Sequence, residues 1–459
     1  MKKVLFVILI YSLFCLSVNS QEFSASDGTR NVFTYTPSST SGIDSIFIFY
    51  TMQNTAALTY SSPISFDPTL VRWFRYQDNP SNRTALTGVV ENGKSVLKNI
   101  QSDFGYIADY NGIESVVWVL DYANYLPLFE KLEVAENQQN ECEYLLLSLT
   151  GTIPDMTFHA FSNGNEMNVY RNYTINYESQ KWIPQAGQNE EAHYEDFEEI
   201  TTFGDLTTNL DVIRIKSPLI DTYFTLIDDF SSFFGIEKSI VSADYEAVSV
   251  EIHPEAKLVY RDDIQNEKDK PNISDGSKYI GSSPIEVNFS AHASSAVSHF
   301  AWEFSAREDF DVLMASYPDE NLFYSFEHAG TYYVRLRTSD YANKCEEISE
   351  SFVFQVSESS LEAPNFFTPN SSSGTNDEFK VVYKSISKFK CSIFNRWGSL
   401  IYQYNDPAAG WDGRKSGKLV PPGVYFYVIE AKGSDGIEYN LKGDINLLYN
   451  RDYMEETTN

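Results

Sequence analysis

Six histidines, His159, His193, His253, His292, His299 and His328, are the first residues to test for metal chemistry. No two stand at the i, i+4 spacing that puts both imidazoles on one helix face, and no HExxH occurs. His299 stands beside Phe300 in an alternating run, where an outward polar role is expected. Neither a GxSxG nucleophile elbow nor a GxxxxGK phosphate loop is present. The 64 acidic residues make carboxylate pairs everywhere, so only separation in space would identify a glycosidase pair. The clusters Glu190–Glu199 and Asp262–Asp269 lack the Asp-x-Asp-x-Asp-Gly order of a calcium loop and read as solvated loops or weak cation sites. No catalytic residue, metal site or cofactor is expected.

Cysteine adds little. Beyond the N-terminal segment the chain keeps Cys142, Cys345 and Cys391, far apart and odd in number. One internal disulfide at most can form, so this is not a disulfide scaffold, and buried free thiols are the expected state. None of the three has the surroundings of a catalytic thiol.

The formal charge of −30 sets the chain against phosphate backbones and anionic membrane surfaces. No nucleic-acid partner is expected, and the charge suits solubility outside the cell. The first residues, MKKVLFVILIYSLFCLSVNSQ, run from two lysines through an apolar stretch (Val4–Leu16) to small residues before Gln21. That is the order of a secretory signal peptide over residues 1–20. The apolar stretch is shorter than the ~20 residues of a membrane span. Lipidation at Cys15 is the alternative, and bulky Phe14 before it fits a lipid-attachment site poorly. No later segment reads as an integral membrane span.

The elements that must position any site are strands. Aromatics reach 15%, with 31 Tyr and 32 Phe, which favours pleated sheets. Ile285, Val287 and Phe289 alternate with polar neighbours, as do Phe300, Trp302 and Phe304, then Tyr332, Val334 and Leu336, and less strictly Phe352, Phe354 and Val356. Period-two alternation puts one face in a core and the other in water. SIFIFY (Ser45–Tyr50), VVWVL (Val116–Leu120) and YLLLSL (Tyr144–Leu149) read as strands apolar on both sides. VSVEIH (Val248–His253) alternates well enough to close a domain, and Leu219–Phe234 reads as a strand, then a short helix around Asp228–Phe234.

Polar runs at Glu133–Glu141, Arg261–Asn272 and Ser357–Pro364 mark linkers. They divide the chain after its signal peptide into an N-terminal β-sandwich (21–134), a second β-sandwich (140–258) and units at 271–358 and 363–449. The expected class is all-β, a tandem of immunoglobulin-like β-sandwich domains.

Two of these units carry family resemblances. SPIEVNFSA (Ser283–Ala291), AWEFS (Ala301–Ser305) and YSFEHAGTYYVRLRTSD (Tyr324–Asp340) resemble a polycystic kidney disease (PKD) domain, an immunoglobulin-like module. Its Trp-Asp-Phe-Gly motif stands here as Trp302-Glu303-Phe304-Ser305, and Gly330 and Tyr332 belong to the later element. The resemblance implies a spacer or contact module. Physically, Trp302 is expected in the core, and Gly330 in a tight turn.

The last unit resembles the gliding motility-associated C-terminal domain, the type B cargo domain of the type IX secretion system. The resemblance rests on APNFFTPN (Ala363–Asn370), IFNRWGSLIYQY (Ile393–Tyr404), GWDGRKSG (Gly410–Gly417), VPPGVYFYVIEA (Val420–Ala431) and LKGDINLL (Leu441–Leu448), in that order. On these motifs the secretion-signal residues are Asn395, Arg396, Trp397, Gly398, Trp411, Asp412, Gly413, Pro422, Gly423 and Tyr425. Where the family usually has Gly-Asp-Gly, this chain has Ser371-Ser372-Ser373-Gly374. The composition of Asn395–Gly398 predicts a hairpin turn. Trp397 and Trp411 are expected to pack over the open ends, and the strand through Val424–Ile429 to be central and covered on both faces.

The resemblance implies export through the periplasm to the surface or the medium, with the type IX machinery as a partner. The function expected is a surface or secreted binding or adhesion protein for an extracellular glycan or protein. Two other readings stand beside it: a secreted carboxylate-dependent hydrolase with its site in the N-terminal half, and a structural component of the gliding or secretion apparatus.

Overall fold

The computed structural model describes residues 22–62, 66–136, 140–185, 191–204, 212–259, 272–273, 278–369 and 376–448. The expected signal peptide, most of the Arg261–Asn272 linker and the Ser371–Gly374 loop lie outside them. The described chain is all-β, a series of small sandwiches, with one α-helix of five residues, Asp229–Phe233. No helix among the described residues is long and apolar enough to cross a membrane. The chain forms two compact units: residues 1–179, 197–217 and 221–246, and residues 180–196, 218–220 and 247–459.

In the first unit, Glu22–Asp27, Ala56–Ser61, Lys94–Lys98 and Val89–Glu91 form a four-stranded sheet. It packs on a six-stranded sheet whose centre is Ile113–Asp121, parallel to Ser45–Phe49 and antiparallel to Phe104–Tyr110. The apolar runs VVWVL and SIFIFY do serve two faces. Phe47, Phe49, Val117 and Val119 join Leu58, Trp73 and Leu97 in the sandwich core. Ile46, Ile48, Val116, Trp118 and Leu120 face the other way, against Met156, Phe158, Val169 and Phe230 from farther along the chain. Burying each such side chain contributes about 1.5–3 kcal/mol, so covering both faces explains why these strands lack polar alternation.

The next core gathers Leu132, Leu145, Leu147, Tyr173, Ile175, Ile213, Ile215, Phe224 and Leu226. The strand Leu128–Val134 pairs with Tyr144–Thr152, which pairs with Val212–Lys216. Leu128–Val134 is therefore a strand of the second sandwich, and the boundary expected after residue 134 falls at its far end. The Leu219–Phe234 reading is close to what forms: strand Thr225–Asp228, then the helix, capped by Asp228 Oδ1 accepting from Phe230 N at 3.0 Å.

In the second unit, Ile285–Ser290 is flanked by Glu255–Val259 and Asn321–Phe326. This sheet encloses Val287, Phe289, Trp302, Phe304, Leu336 and Phe354 against the sheet built on His299–Ser305 and Gly330–Ser339. The predicted alternation is realised along Ile285–Ser290, whose three apolar residues are buried while the others are not. VSVEIH forms no strand; Ile252 makes one isolated bridge to Ala293 and packs into this third core. Glu255–Val259 likewise pairs into the third sandwich, so the end expected for the second domain, at residue 258, lies inside the next one.

The last sandwich centres on a five-stranded sheet ordered Phe366–Phe367, Glu438–Leu447, Gly423–Gly433, Ile386–Phe394, Leu400–Tyr404. Its core holds Phe367, Phe379, Cys391, Ile393, Trp411, Ile429, Ile445 and Leu447. Gly423–Gly433 is central but not covered on both faces: Val424, Phe426 and Val428 are 41%, 45% and 42% exposed. The packed layer lies on the Tyr425 and Ile429 side. The expected linker Ser357–Pro364 is built structure. Ser360–Glu362 pairs with Val382–Lys384, and Asp435 accepts from Ser359 N at 2.6 Å and Ser359 Oγ at 2.9 Å.

Candidate functional site

In the C-terminal sandwich, Asn395–Gly398 forms the turn between two strands. Asn395 Oδ1 accepts from Trp397 N at 3.1 Å and Ser399 N at 2.9 Å, and Gly398 takes φ +79. Trp397 is 79% exposed and packs over no open end; its only ring partner among the described residues is the Arg396 guanidinium, 5.5 Å away. Trp411 behaves differently. It is fully buried, its indole N–H donates to Arg414 O at 2.9 Å, and its ring lies 5.2 Å from Tyr425 and 5.4 Å from Phe367.

Asp412 shapes the following turn by accepting from Arg414 N at 3.0 Å. At Gly413, φ +77 is joined by crowding: a Cβ would sit 2.9 Å from Pro369 and 3.0 Å from Leu447. Pro422 is exposed, Tyr425 OH donates to Pro421 O at 2.8 Å, and the Arg396 guanidinium reaches within 3.8 Å of where a Cβ would stand on Gly423. The motifs therefore split into a buried group around Trp411, Gly413 and Tyr425 and an exposed tip around Arg396 and Trp397.

In the third sandwich, Trp302 is fully buried and donates to Glu320 O at 3.3 Å, while Phe304 packs edge-to-face on Phe289 and Tyr317 and tilted on Tyr324. Tyr332 is half-buried, with its hydroxyl donating to His328 O at 2.9 Å. Gly330 does not occupy the tight turn expected of it. It opens the strand Gly330–Ser339 without a left-handed φ, and a Cβ there would sit 3.5 Å from the Tyr332 ring.

The cavity best furnished for chemistry is a cleft of about 630 Å³ in the second unit. Within this unit, residues 180–196 bring Trp182 to it, with Tyr194 packed against the Trp182 ring. Gln180 seats this segment: its Nε2 donates to Ser295 Oγ at 2.8 Å and its Oε1 accepts from Ser295 N at 2.9 Å. Trp182 stacks on His253 at 4.6 Å and 11° and lies 5.3 Å from His292 and from Tyr194, whose hydroxyl donates to Glu251 O at 2.9 Å. His253 Nε2 is 3.0 Å from Glu251 Oε1, and His292 Nε2 is 3.5 Å from Glu255 Oε2.

Two features of the cleft are out of the ordinary. His292 holds φ +42, a left-handed conformation that costs a non-glycine residue of order 1–3 kcal/mol. Glu347, a lining residue, has its Oε2 enclosed without a hydrogen-bond partner. Burial pushes the Glu347 carboxyl above the usual range and the Glu251 charge adds to this, while the Ile252 amide and His253 pull it down. Among the described residues, no group of three or more His, Cys, Asp or Glu is placed to hold a metal ion.

No spacing of the histidines in sequence points to this site. His253 and His292 are far apart in sequence and meet only across Trp182. The thiols also differ from expectation: Cys142 and Cys345 are disulfide-bonded, as an oxidising compartment allows, and Cys391 is free and buried.

Residues 361–447 match the CHU_C Type IX secretion signal domain. Residues 133–242 match a Fibronectin type III domain, overlapping the second β-sandwich expected over 140–258. No curated protein matches the chain. Many solved structures are similar, two of them as follows. One is dimeric latent PorU from Porphyromonas gingivalis, at 10% identity and TM-score 0.17, covering 74% of this chain and 36% of PorU. The other is a Ca2+-stabilized adhesin with which an Antarctic bacterium binds ice, at 9% identity and TM-score 0.20, covering 86% of this chain and 94% of the adhesin. This chain thus spans about a third of PorU's length, and at these scores neither likeness bears on function. The C-terminal match implies export by the type IX system to the cell surface or the extracellular space.

Proposed function

We propose that this protein is a non-catalytic binding or adhesion module array, displayed on the cell surface or released, and delivered there through its C-terminal sandwich. The observation that carries the reading is the C-terminal match over residues 361–447, on a sandwich that buries Trp411 and Tyr425 and exposes the Arg396–Trp397 tip. The fibronectin type III and PKD-like sandwiches before it suit contact and spacing, and the ligand is an extracellular glycan or protein. A signal peptide over residues 1–20 would supply the first step, across the inner membrane.

Fractionation of cells making the full chain beside one ending at Ser357, the last residue of the strand Phe352–Ser357, tests this reading. Protease is applied to intact cells. The full chain should be cleaved at the surface or found in the medium, with the shortened one retained in the periplasm. Equal delivery of both would overturn the export role of the C-terminal sandwich.

A further inference from the structure

We propose that the cleft beside Trp182 binds a cationic group, a primary ammonium or guanidinium of the kind a partner protein's basic side chain presents. The inference rests on the binding-protein reading above and gives it a site and a ligand chemistry. A cleft of about 630 Å³ is of the size that encloses a small ligand or one anchoring side chain. Four separate stretches of the chain furnish it: Trp182, then His253 and Glu255, then His292, then Glu347. Such convergence of loops on a preformed cavity is how binding sites are commonly built.

The chemistry of the walls selects the charge. Glu255, Glu347 and Glu350 line the cleft, and among the described residues no Lys or Arg does. Lys257 pairs with Glu255 at 2.9 Å and partly neutralises it, so the negative charge of the lining rests chiefly on Glu347 and Glu350. The Glu347 carboxyl accepts from the Ile252 amide and its Oε2 makes no hydrogen bond, so the group keeps unused acceptor capacity. Ammonium and guanidinium groups offer three and five N–H donors and no acceptor, matching an acceptor-rich wall. The Trp182 and Phe352 rings add aromatic surface to the lining. The site is also held ready: the Trp182–His253 stack, the Glu251–His253 contact and the strained backbone of His292 fix the walls before any ligand arrives.

Isothermal titration of the purified full chain with Nα-acetyl-lysine amide at low salt tests this. Nα,Nε-diacetyl-lysine amide and N-acetylglucosamine serve as neutral probes. Saturable binding of the cation is expected, with the diacetyl probe about tenfold or more weaker, the loss that accompanies one charge-assisted hydrogen bond. Glu347→Gln should weaken the cation to a similar degree with an unchanged circular dichroism spectrum. Should Glu347→Gln not fold, Trp182→Phe and Glu255→Gln decide by the same loss. Equal binding of the neutral lysine probe, saturation by the sugar alone, no saturation by any probe, or unaltered affinity in the folded variants would each overturn the proposal. Delivery to the surface is read in a separate assay, so either result can fail while the other stands.

Discussion

The Arg171 guanidinium and the Asp228 carboxylate lie 3.5 Å apart, with side chains only 4% and 0% exposed. Tyr122 OH donates to the same carboxylate at 2.9 Å, and Arg171 Nη2 donates to Tyr125 O at 2.6 Å. The group ties Tyr122, in the turn after the central strand of the first sandwich, to the strand and helix that meet at Asp228. Burial pushes the Asp228 carboxyl upward, and Arg171, Tyr122 and the Phe230 amide pull it back.

Removing either partner leaves the other as an enclosed, uncompensated charge. Arg171→Ala and Asp228→Ala should each cost about 3–5 kcal/mol, read as loss of the thermal transition of the first unit. The double variant should cost less than the sum, because the second deletion removes the charge that the first stranded. A strictly additive double variant would show that the two side chains act independently.

Glu347 gives a prediction with a definite pH sign. Its carboxyl is raised in the folded protein, so the fold holds its proton more tightly than the unfolded chain does. Stability associated with this group is therefore present at low pH and declines as pH rises from the ordinary Glu value of about 4.3 through the raised one. Glu347→Gln should melt above the parent at pH 7, and the gap should close as pH falls towards 4. A variant that melts below the parent at pH 7 would mean that the enclosed oxygen is compensated after all.

How much of this was legible in the sequence depended on whether the signal was local. Ile285, Val287 and Phe289 alternate because one sheet face is wet, and VVWVL does not because both of its faces are covered. VSVEIH alternates equally well yet finds no partner strand beyond the Ile252–Ala293 bridge, and no pattern within six residues reports what lies beside them. Val424, Phe426 and Val428 misled in the opposite sense, since apolar identity does not reveal that no layer covers that face. The C-terminal motifs were readable because turn chemistry is local: Asn395 satisfies amides two and four residues on. The cleft was not readable, because Trp182, His253, His292 and Glu347 meet only through the tertiary fold.

Trp397 and Trp411 separate folding from recognition within one motif set. Trp411→Ala should cost the C-terminal sandwich about 3–5 kcal/mol, as for a fully enclosed aromatic. Trp397→Ala should leave melting within about 0.5 kcal/mol, since its ring is mostly in water. On the export reading, Trp397→Ala also lowers surface delivery at unchanged stability, measured by protease accessibility on intact cells. Normal delivery of the Trp397→Ala chain would remove the exposed tip from any recognition role.

Cys391 is the free thiol of the described chain, fully buried in the C-terminal core. Burial pushes its thiol up to about 11, against the downward pull of its contact with Tyr404. Alkylation needs the thiolate, and at pH 8 that leaves on the order of one molecule in a thousand reactive even before access is considered. Iodoacetamide at pH 8 should therefore leave Cys391 unmodified in the native chain and modify it fully in denaturant, as read by peptide mass spectrometry. Because Ile429 and Ile445 share its core, the rate of slow native labelling reports opening of this sandwich alone. Trp411→Ala should raise that rate, whereas Trp397→Ala should not. Labelling as fast as that of a small free thiol would show that the core around Cys391 is open in solution.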